Sequence, residues 1–223
     1  PHDLNQYLGE WEHYIHGDSP GPVLIKAALI HYQFEAIHPF LDGNGRIGRL
    51  LITLFLCEQN CLSQPLLYLS GFFDETRDDY YRLLLEVSQK GAWREWVEYF
   101  LRGVRIQAQR ATQDTKNILA HYEICRAQLT EGKRVPGEAA RVLDQVFANP
   151  YLSIPRYANR FGVAYPSAQR GVDFWVEKGL LREATGQQRY RIYVADEILN
   201  MMSGPSLPLN TATESTRNSE KGD

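Results

Sequence analysis

Apolar residues recur at helical spacing from the start of the chain: Leu4, Leu8, Trp11 and Ile15 line one face of a helix over Asp3 to Ile15. The cluster Gly17-Asp18-Ser19-Pro20-Gly21-Pro22 breaks that pattern and offers a new helix start, with Pro22 in its first turn. A second helix is predicted from about Val23 to Ile37. It must stop near His38, because Pro39 disfavours helical geometry in the residue before it. Asp42-Gly43-Asn44-Gly45 is a dense loop signal, and a third helix follows from about Arg46 to Glu58. Its run Leu50, Leu51, Ile52, Leu54, Phe55, Leu56 is apolar almost all round, which predicts a helix buried at the centre of a bundle. Tyr80 to Ser88 and Trp93 to Arg102 read as two more helices, separated by Lys90-Gly91. Ile106 to Leu129 reads as a long polar helix linking two domains.

Gly132-Lys133-Arg134-Val135-Pro136-Gly137 then marks a domain boundary. Beyond it, Ala139 to Phe147, Ile154 to Phe161 and Tyr165 to Lys178 carry helical patterns. Two strand-like runs follow, Gly179-Leu180-Leu181-Arg182 and Arg189 to Val194, flanking the turn Thr185-Gly186. Three helices followed by a hairpin is the winged-helix order. The expected fold is therefore an all-α core, a helical bundle around a central buried helix, followed by a small winged-helix (α+β) domain. The divisions are 1–110 for the core, 111–137 for the linking helix and linker, and 138–202 for the winged helix. A tail over 203–223, rich in Ser, Thr, Asn, Pro and Gly, is expected to be disordered.

Composition narrows the function classes. With 43% hydrophobic and 23% charged residues and a net charge of −3, the 223-residue chain is of ordinary globular type, and any basic surface must be local. Three cysteines do not make a disulfide framework, and no apolar run is long enough to span a bilayer. A cytoplasmic location is the simplest expectation. The first residue is Pro1 rather than Met, so the chain is expected to be processed or a piece of a longer one.

The segment from His38 to Arg49 concentrates chemistry. A glycine-rich turn opening into a helix presents free backbone N–H groups at the positive end of the helix dipole, which is an anion site. Gly43 and Gly45 let backbone approach phosphate oxygens closely. Arg46 and Arg49 share a face of the following helix, and two guanidinium forks there suit a polyphosphate. Asp42 is a hard carboxylate suited to Mg²⁺. His38 closes the preceding helix at the same loop, and histidine is the side-chain type best matched to base catalysis at neutral pH. These parts together describe a nucleotide-phosphate site with a metal and a proton acceptor.

The same segment, His38-Pro39-Phe40-Leu41-Asp42-Gly43-Asn44-Gly45-Arg46-Ile47-Gly48-Arg49, resembles the signature of the Fic family, H-P-F-x-D/E-G-N-G-R-x-x-R, with every fixed position filled. Ala27 to Ile37, Leu50 to Phe55, Tyr80-Tyr81 and Trp93-x-x-Trp96 resemble the family as well, so the likeness covers roughly residues 1–110. The resemblance implies a protein adenylyltransferase that moves AMP from ATP onto a Ser, Thr or Tyr hydroxyl of a protein, the chain itself included, and releases pyrophosphate. His38 would be the base and Asp42 would hold Mg²⁺. Gly43, Asn44 and Gly45 would cradle the phosphates, chiefly through backbone N–H groups. Arg46 and Arg49 would bind the outer phosphates, with Ile47 and Gly48 completing the nucleotide-binding segment. Phe40 would anchor the loop in the core, and Tyr80 and Ser88 fall where relatives contact the nucleoside. Relatives that transfer phosphate carry Lys at the position of Gly45, so the glycine favours AMP transfer. The family's inhibitory helix and the β-hairpin flap that aligns the target segment are absent from this sequence, and autoinhibition is expected to be absent with them.

Other residues have plainer readings. His31 is expected to make a structural hydrogen bond, and His13 and His16 to lie on a solvated helix face. Cys57 and Cys61 read as small apolar filler, and Trp93, Trp96, Tyr99 and Phe100 as core aromatics. Arg170, Lys178, Arg182, Arg189 and Arg191 offer a surface for DNA phosphates, diluted by Asp173, Glu177 and Glu183. A protein-docking or dimerising role for the winged helix competes with DNA binding. The rival to the enzyme is a DNA-binding regulator whose core only senses nucleotide.

Overall fold

Ten helices and three short strands are seen in the computed structural model, which describes residues 3–17, 21–130, 135–187 and 190–203. The order is α1 (Leu4–His16), α2 (Val23–Ile37), α3 (Asn44–Glu58), α4 (Leu69–Glu75), α5 (Arg77–Lys90), α6 (Trp93–Gln128), α7 (Ala139–Ala148), β1 (Tyr151–Leu152), α8 (Ile154–Phe161), α9 (Tyr165–Glu177), β2 (Arg182–Glu183), β3 (Tyr193–Val194) and α10 (Asp196–Ser203). The chain divides into two units, Pro1–Gln113 and Asp114–Asp223, and the division falls inside α6.

In the first unit the centre belongs to α2. It buries Ala27, Ala28, Ile30, His31, Tyr32 and Phe34. Ala27 and Ala28 are completely inaccessible, so neighbouring helices approach its backbone closely there. Two indole N–H groups bind its carbonyls: Trp11 of α1 donates to Ile30 at 3.0 Å and Trp96 of α6 donates to Ala28 at 2.9 Å. Around His31 stand Phe73, Tyr80, Trp96 and Phe100, with ring centroids 5.5 to 6.3 Å away. Full burial of each such aromatic contributes roughly 1.5–3 kcal/mol, so this cluster is the main anchor of the unit.

The expectation that the helix after the loop is the central one is corrected here. Helix α3 packs one face, with Ile52, Thr53, Phe55 and Leu56 buried, while Leu50 and Leu54 are 55% and 51% exposed. An apolar run nearly continuous around a helix does not say which neighbour covers it, and α2 takes the centre because its small residues fit there. The aromatics Trp96, Tyr99 and Phe100 are buried as expected, whereas Trp93 is 43% exposed. The two helical stretches expected over Trp93–Arg102 and Ile106–Leu129 form one continuous helix, and α4 arises where no helix was predicted.

The second unit has its own core, with Trp175, Val142, Val146 and Ile198 sealed from solvent and Trp175 Nε1–H donating to Ala139 O at 2.7 Å. Cys125, from the end of α6, is part of it. Its three helical segments agree with the sequence pattern. The strand-like runs contract to two-residue strands, and an additional strand, β1, pairs with β3 to give the antiparallel order β1-β3-β2. A two-residue strand leaves too few alternating positions to be legible in a sequence. Arg189, the tail beyond 203 and residues 131–134 of the expected boundary lie outside the described residues. Among the described residues no helix is long and apolar enough to cross a membrane.

Candidate active site

The loop between α2 and α3 is built by three local devices. His38 caps α2 in the left-handed region (φ 50°, ψ 59°), donating its N–H to Phe34 O at 3.0 Å. A non-glycine residue there costs on the order of 1 kcal/mol, and the following Pro39 rules out the helical alternative. The reversal leaves the His38 imidazole at the surface. Gly43, also left-handed at φ 84°, makes the second sharp bend just before α3. Between them the buried side chain of Asn44 clamps the loop: its Oδ1 accepts the Phe40 N–H at 2.9 Å and its Nδ2 donates to Phe40 O at 2.6 Å. The loop is therefore held through the Phe40 backbone. The Phe40 ring, expected to anchor it in the core, is 48% exposed and only leans toward Phe34, with centroids 6.4 Å apart.

Helix α3 then opens onto the loop. Its first intrahelical bond runs from Ile47 N–H to Gly43 O, so the N–H groups of Asn44, Gly45 and Arg46 precede the ladder and carry the positive end of the dipole. Asp42 accepts the Gly43 N–H at 2.6 Å, and its other oxygen lies 3.5 Å from Arg46 Nη2. Both partners of that pair are largely solvated, so it is weak and easily exchanged for a stronger anion. Arg49 is half-buried. Its Nη1 lies 3.1 Å from the point where a side chain at Gly45 would begin, so glycine leaves the guanidinium room beside the first turn. His38, Asp42, Gly43, Gly45, Arg46 and Arg49 are thus brought to one loop and one helix end.

The remaining predicted residues are placed differently. Gly48 is buried against α2: a Cβ there would stand 2.5 Å from Glu35 Oε1, 3.0 Å from the Phe34 ring and 3.3 Å from the His31 ring. It serves the α2–α3 seam, and Ile47 beside it is half-buried. Tyr80 is 3% exposed and its hydroxyl meets His31 Nε2 at 3.0 Å, so the structure places it in the core beneath the site. Burial, followed by the charge of Glu35, pushes that hydroxyl far above its ordinary range. Ser88 is exposed on α5, donating to Leu85 O at 2.9 Å. His31 has the structural role expected. Burial, opposed by the Gly48 backbone and assisted by the Arg49 charge, lowers its pKa to about 3, so it is neutral at any physiological pH.

One residue that the sequence reading passed over belongs to the site. Glu35 lies on α2 one turn before His38 and one turn after His31, partly buried, with Oε1 sealed from solvent. Burial raises its pKa, against the pull of Arg49 and then His38. Its spacing from the two histidines was the available signal.

Among the described residues no group of three or more His, Cys, Asp or Glu side chains is arranged to hold a metal ion. Asp42 is a single exposed carboxylate, the kind of ligand Mg²⁺ uses when its other oxygens come from phosphates and water. Cys57 is half-buried, but Cys61 is exposed and lies beyond the end of α3, so it is not the apolar filler expected. In the second unit Arg182 is committed to Asp196 through bonds of 2.7 and 2.9 Å, and Arg170 to Ser167 at 3.1 Å. Arg191 donates to Gln187 O at 3.1 Å, and Lys178 stands 5.8 Å above the Phe174 ring. Of these four, Arg182 is paired with a carboxylate, whereas Arg170, Arg191 and Lys178 are exposed and touch neutral groups.

Comparison with known proteins locates these features. Residues 1–56 match the Fic/DOC family. A probable protein adenylyltransferase of Aquifex aeolicus is 30% identical over 131 residues, 57% of this chain and 37% of its own length. The protein adenylyltransferase of Caenorhabditis elegans is 36% identical over 90 residues, 38% of this chain and 15% of its own. That of Drosophila virilis is 46% identical over 59 residues, 25% of this chain and 12% of its own. The chain therefore spans little more than a third of the first relative and far less of the others. A crystal structure of a Fic family protein from Desulfovibrio desulfuricans G20 covers 87% of this chain and 55% of its own at 20% identity, with a TM-score of 0.46.

Proposed function

Because this chain belongs to the Fic/DOC family, we propose that it is a protein adenylyltransferase, transferring AMP from ATP to a hydroxyl side chain of a protein and releasing pyrophosphate. The observation that carries this reading is the convergence of an exposed imidazole, His38, with the free N–H groups of α3 and the guanidiniums of Arg46 and Arg49 around one loop.

His38 takes the proton of the target hydroxyl as its oxygen attacks the α-phosphorus. The bond from that phosphorus to the bridging oxygen of the β-phosphate breaks, and pyrophosphate leaves with the electron pair. The N–H groups of Asn44, Gly45 and Arg46 and the two guanidiniums hold the phosphates in line and stabilise the charge that gathers on them. The absence of a side chain at Gly45 supports AMP transfer over phosphate transfer. Asp42 would hold Mg²⁺ brought with the nucleotide, which supplies charge neutralisation of the phosphates. Target proteins with a Ser, Thr or Tyr hydroxyl, this chain among them, are the class of acceptor.

The second unit, ordered α7-β1-α8-α9-β2-β3, is read as a winged helix used for protein docking. The engagement of Arg182 with Asp196 supports docking of protein over DNA.

The test is incubation with Mg²⁺ and ATP labelled at the α-phosphate, beside His38→Ala. Protein-bound label that disappears in the variant is expected. Label from γ-phosphate, or label that persists in His38→Ala, would refute the proposal.

A further inference from the structure

A cleft of about 560 Å³ opens in the second unit between α8, the end of α7, β1 and the segment entering β3. That is the size of a site that takes a small ligand or a few side chains of a partner. Its floor is apolar, with Leu152 and Tyr157 buried and Phe161 half-buried. Its rim is uncovered, because Tyr151, Tyr190 and Ile192 are all exposed. Large side chains left in water around one concavity mark a contact surface, and tyrosine is enriched at such surfaces.

The charge of the cleft is one-sided. Arg156 and Arg160 lie one turn apart on α8 and both line it, and no Asp or Glu among the described residues does. Arg160 is held by neutral groups: its Nη1 donates to Gln145 Oε1 at 3.1 Å, and its guanidinium stands 5.4 Å from the Phe161 ring centroid. Arg156 is exposed and makes no hydrogen bond or ion pair with another described residue. Two guanidiniums without a carboxylate partner, over an apolar floor, complement carboxylates that flank an aromatic residue. A nucleic acid is the poorer match. It is held through many phosphate contacts, whereas the cleft offers two cations on a chain whose net charge of −3 repels a polyanion.

We propose that this cleft takes an acidic segment of a partner protein, with an aromatic side chain on the floor and its flanking carboxylates on Arg156 and Arg160. The proposal rests on the reading of the second unit as a protein-docking module and names the chemistry of the partner. It places docking on α8 and not on α9, whose cations Arg170 and Lys178 stand outside the cleft.

The test is fluorescence anisotropy with the whole chain and two fluorescein-labelled peptides, Gly-Asp-Glu-Trp-Asp-Glu-Gly and the same peptide with every carboxylate replaced by its amide. The acidic peptide is expected to bind about tenfold more tightly or better, the effect of one or two charge-assisted hydrogen bonds. Arg156→Gln removes no contact of the folded chain, so it is expected to weaken the acidic peptide about tenfold with an unchanged melting temperature. Tyr190→Ala should weaken both peptides alike, because it removes apolar contact and no charge. Equal binding of the two peptides by the parent would overturn the proposal, as would an acidic peptide held equally well by Arg156→Gln. Acidic-peptide binding lost in Arg170→Gln but kept in Arg156→Gln would sink this cleft and leave the docking reading standing. A labelled oligothymidylate held through Arg156, with neither peptide bound, would sink both.

Discussion

Replacing Asn44 by Ala tests what holds the loop between α2 and α3 in place. The Asn44 side chain is 2% exposed and makes both of its loop contacts to a single residue, the N–H and the C=O of Phe40, at 2.9 and 2.6 Å. Each hydrogen bond contributes about 1 kcal/mol net, and a buried backbone group left without a partner costs roughly 1–3 kcal/mol. The Phe40 backbone is only partly buried, so water relieves some of that penalty, and a loss of about 2–3 kcal/mol is expected. Asn44→Asp provides the control. It preserves shape and the acceptor for the Phe40 N–H, but sets an oxygen against the Phe40 carbonyl where an N–H stood. The helix dipole returns only about 0.5 kcal/mol to a carboxylate in this first turn, so Asn44→Asp should also lose stability. Urea unfolding followed by tryptophan fluorescence reports the first unit, which holds Trp11, Trp93 and Trp96 of the four tryptophans. AMP transfer by both variants should fall at least tenfold, because His38 and the N–H groups of α3 flank the clamped segment. A loss below about 0.5 kcal/mol in Asn44→Ala would refute the reasoning, since Phe40 would then be satisfied without the clamp.

Two further predictions concern the seam below the loop. In the folded chain His31 stays neutral down to about pH 3, whereas unfolded it takes up a proton near its ordinary value of 6.5. Between those values the unfolded state holds more protons, so stability is fully present above pH 6.5 and falls as the pH drops. His31 alone accounts for about 2 kcal/mol lost at pH 5. Comparison of unfolding free energies at pH 7 and pH 5 should show that difference shrinking in His31→Gln, and an unchanged pH dependence would contradict the assignment. Gly48→Ala places a methyl 2.5 Å from Glu35 Oε1 and 3.0 Å from the Phe34 ring, so the Glu35 carboxylate must swing aside and the ring must give. Overpacking of this kind costs about 1–3 kcal/mol, and a melting temperature equal to the parent's would show that the seam is looser than described.

Much of this molecule was legible in the sequence because its information is local. Pro39 dictated the end of α2 at His38, Gly43 the bend before α3, and the spacing of Arg46 and Arg49 their shared reach toward the loop. Helices α7, α8 and α9 of the second unit followed from apolar periodicity in the same way, whereas α10 did not. Tertiary structure decided everything that depends on which neighbour arrives from a distance. Tyr80 and Tyr81 are adjacent and chemically alike, yet packing against His31 and Phe73 buries the first and leaves the second 54% exposed. Leu50 and Leu54 are as apolar as Leu56, but only Leu56 meets the core. The clamp by Asn44 and the placement of Glu35 against Gly48 depend on two helices being folded back on each other. Periodicity and turn chemistry act within a few residues of chain, whereas burial and the partners of a polar group are set by residues tens of positions away.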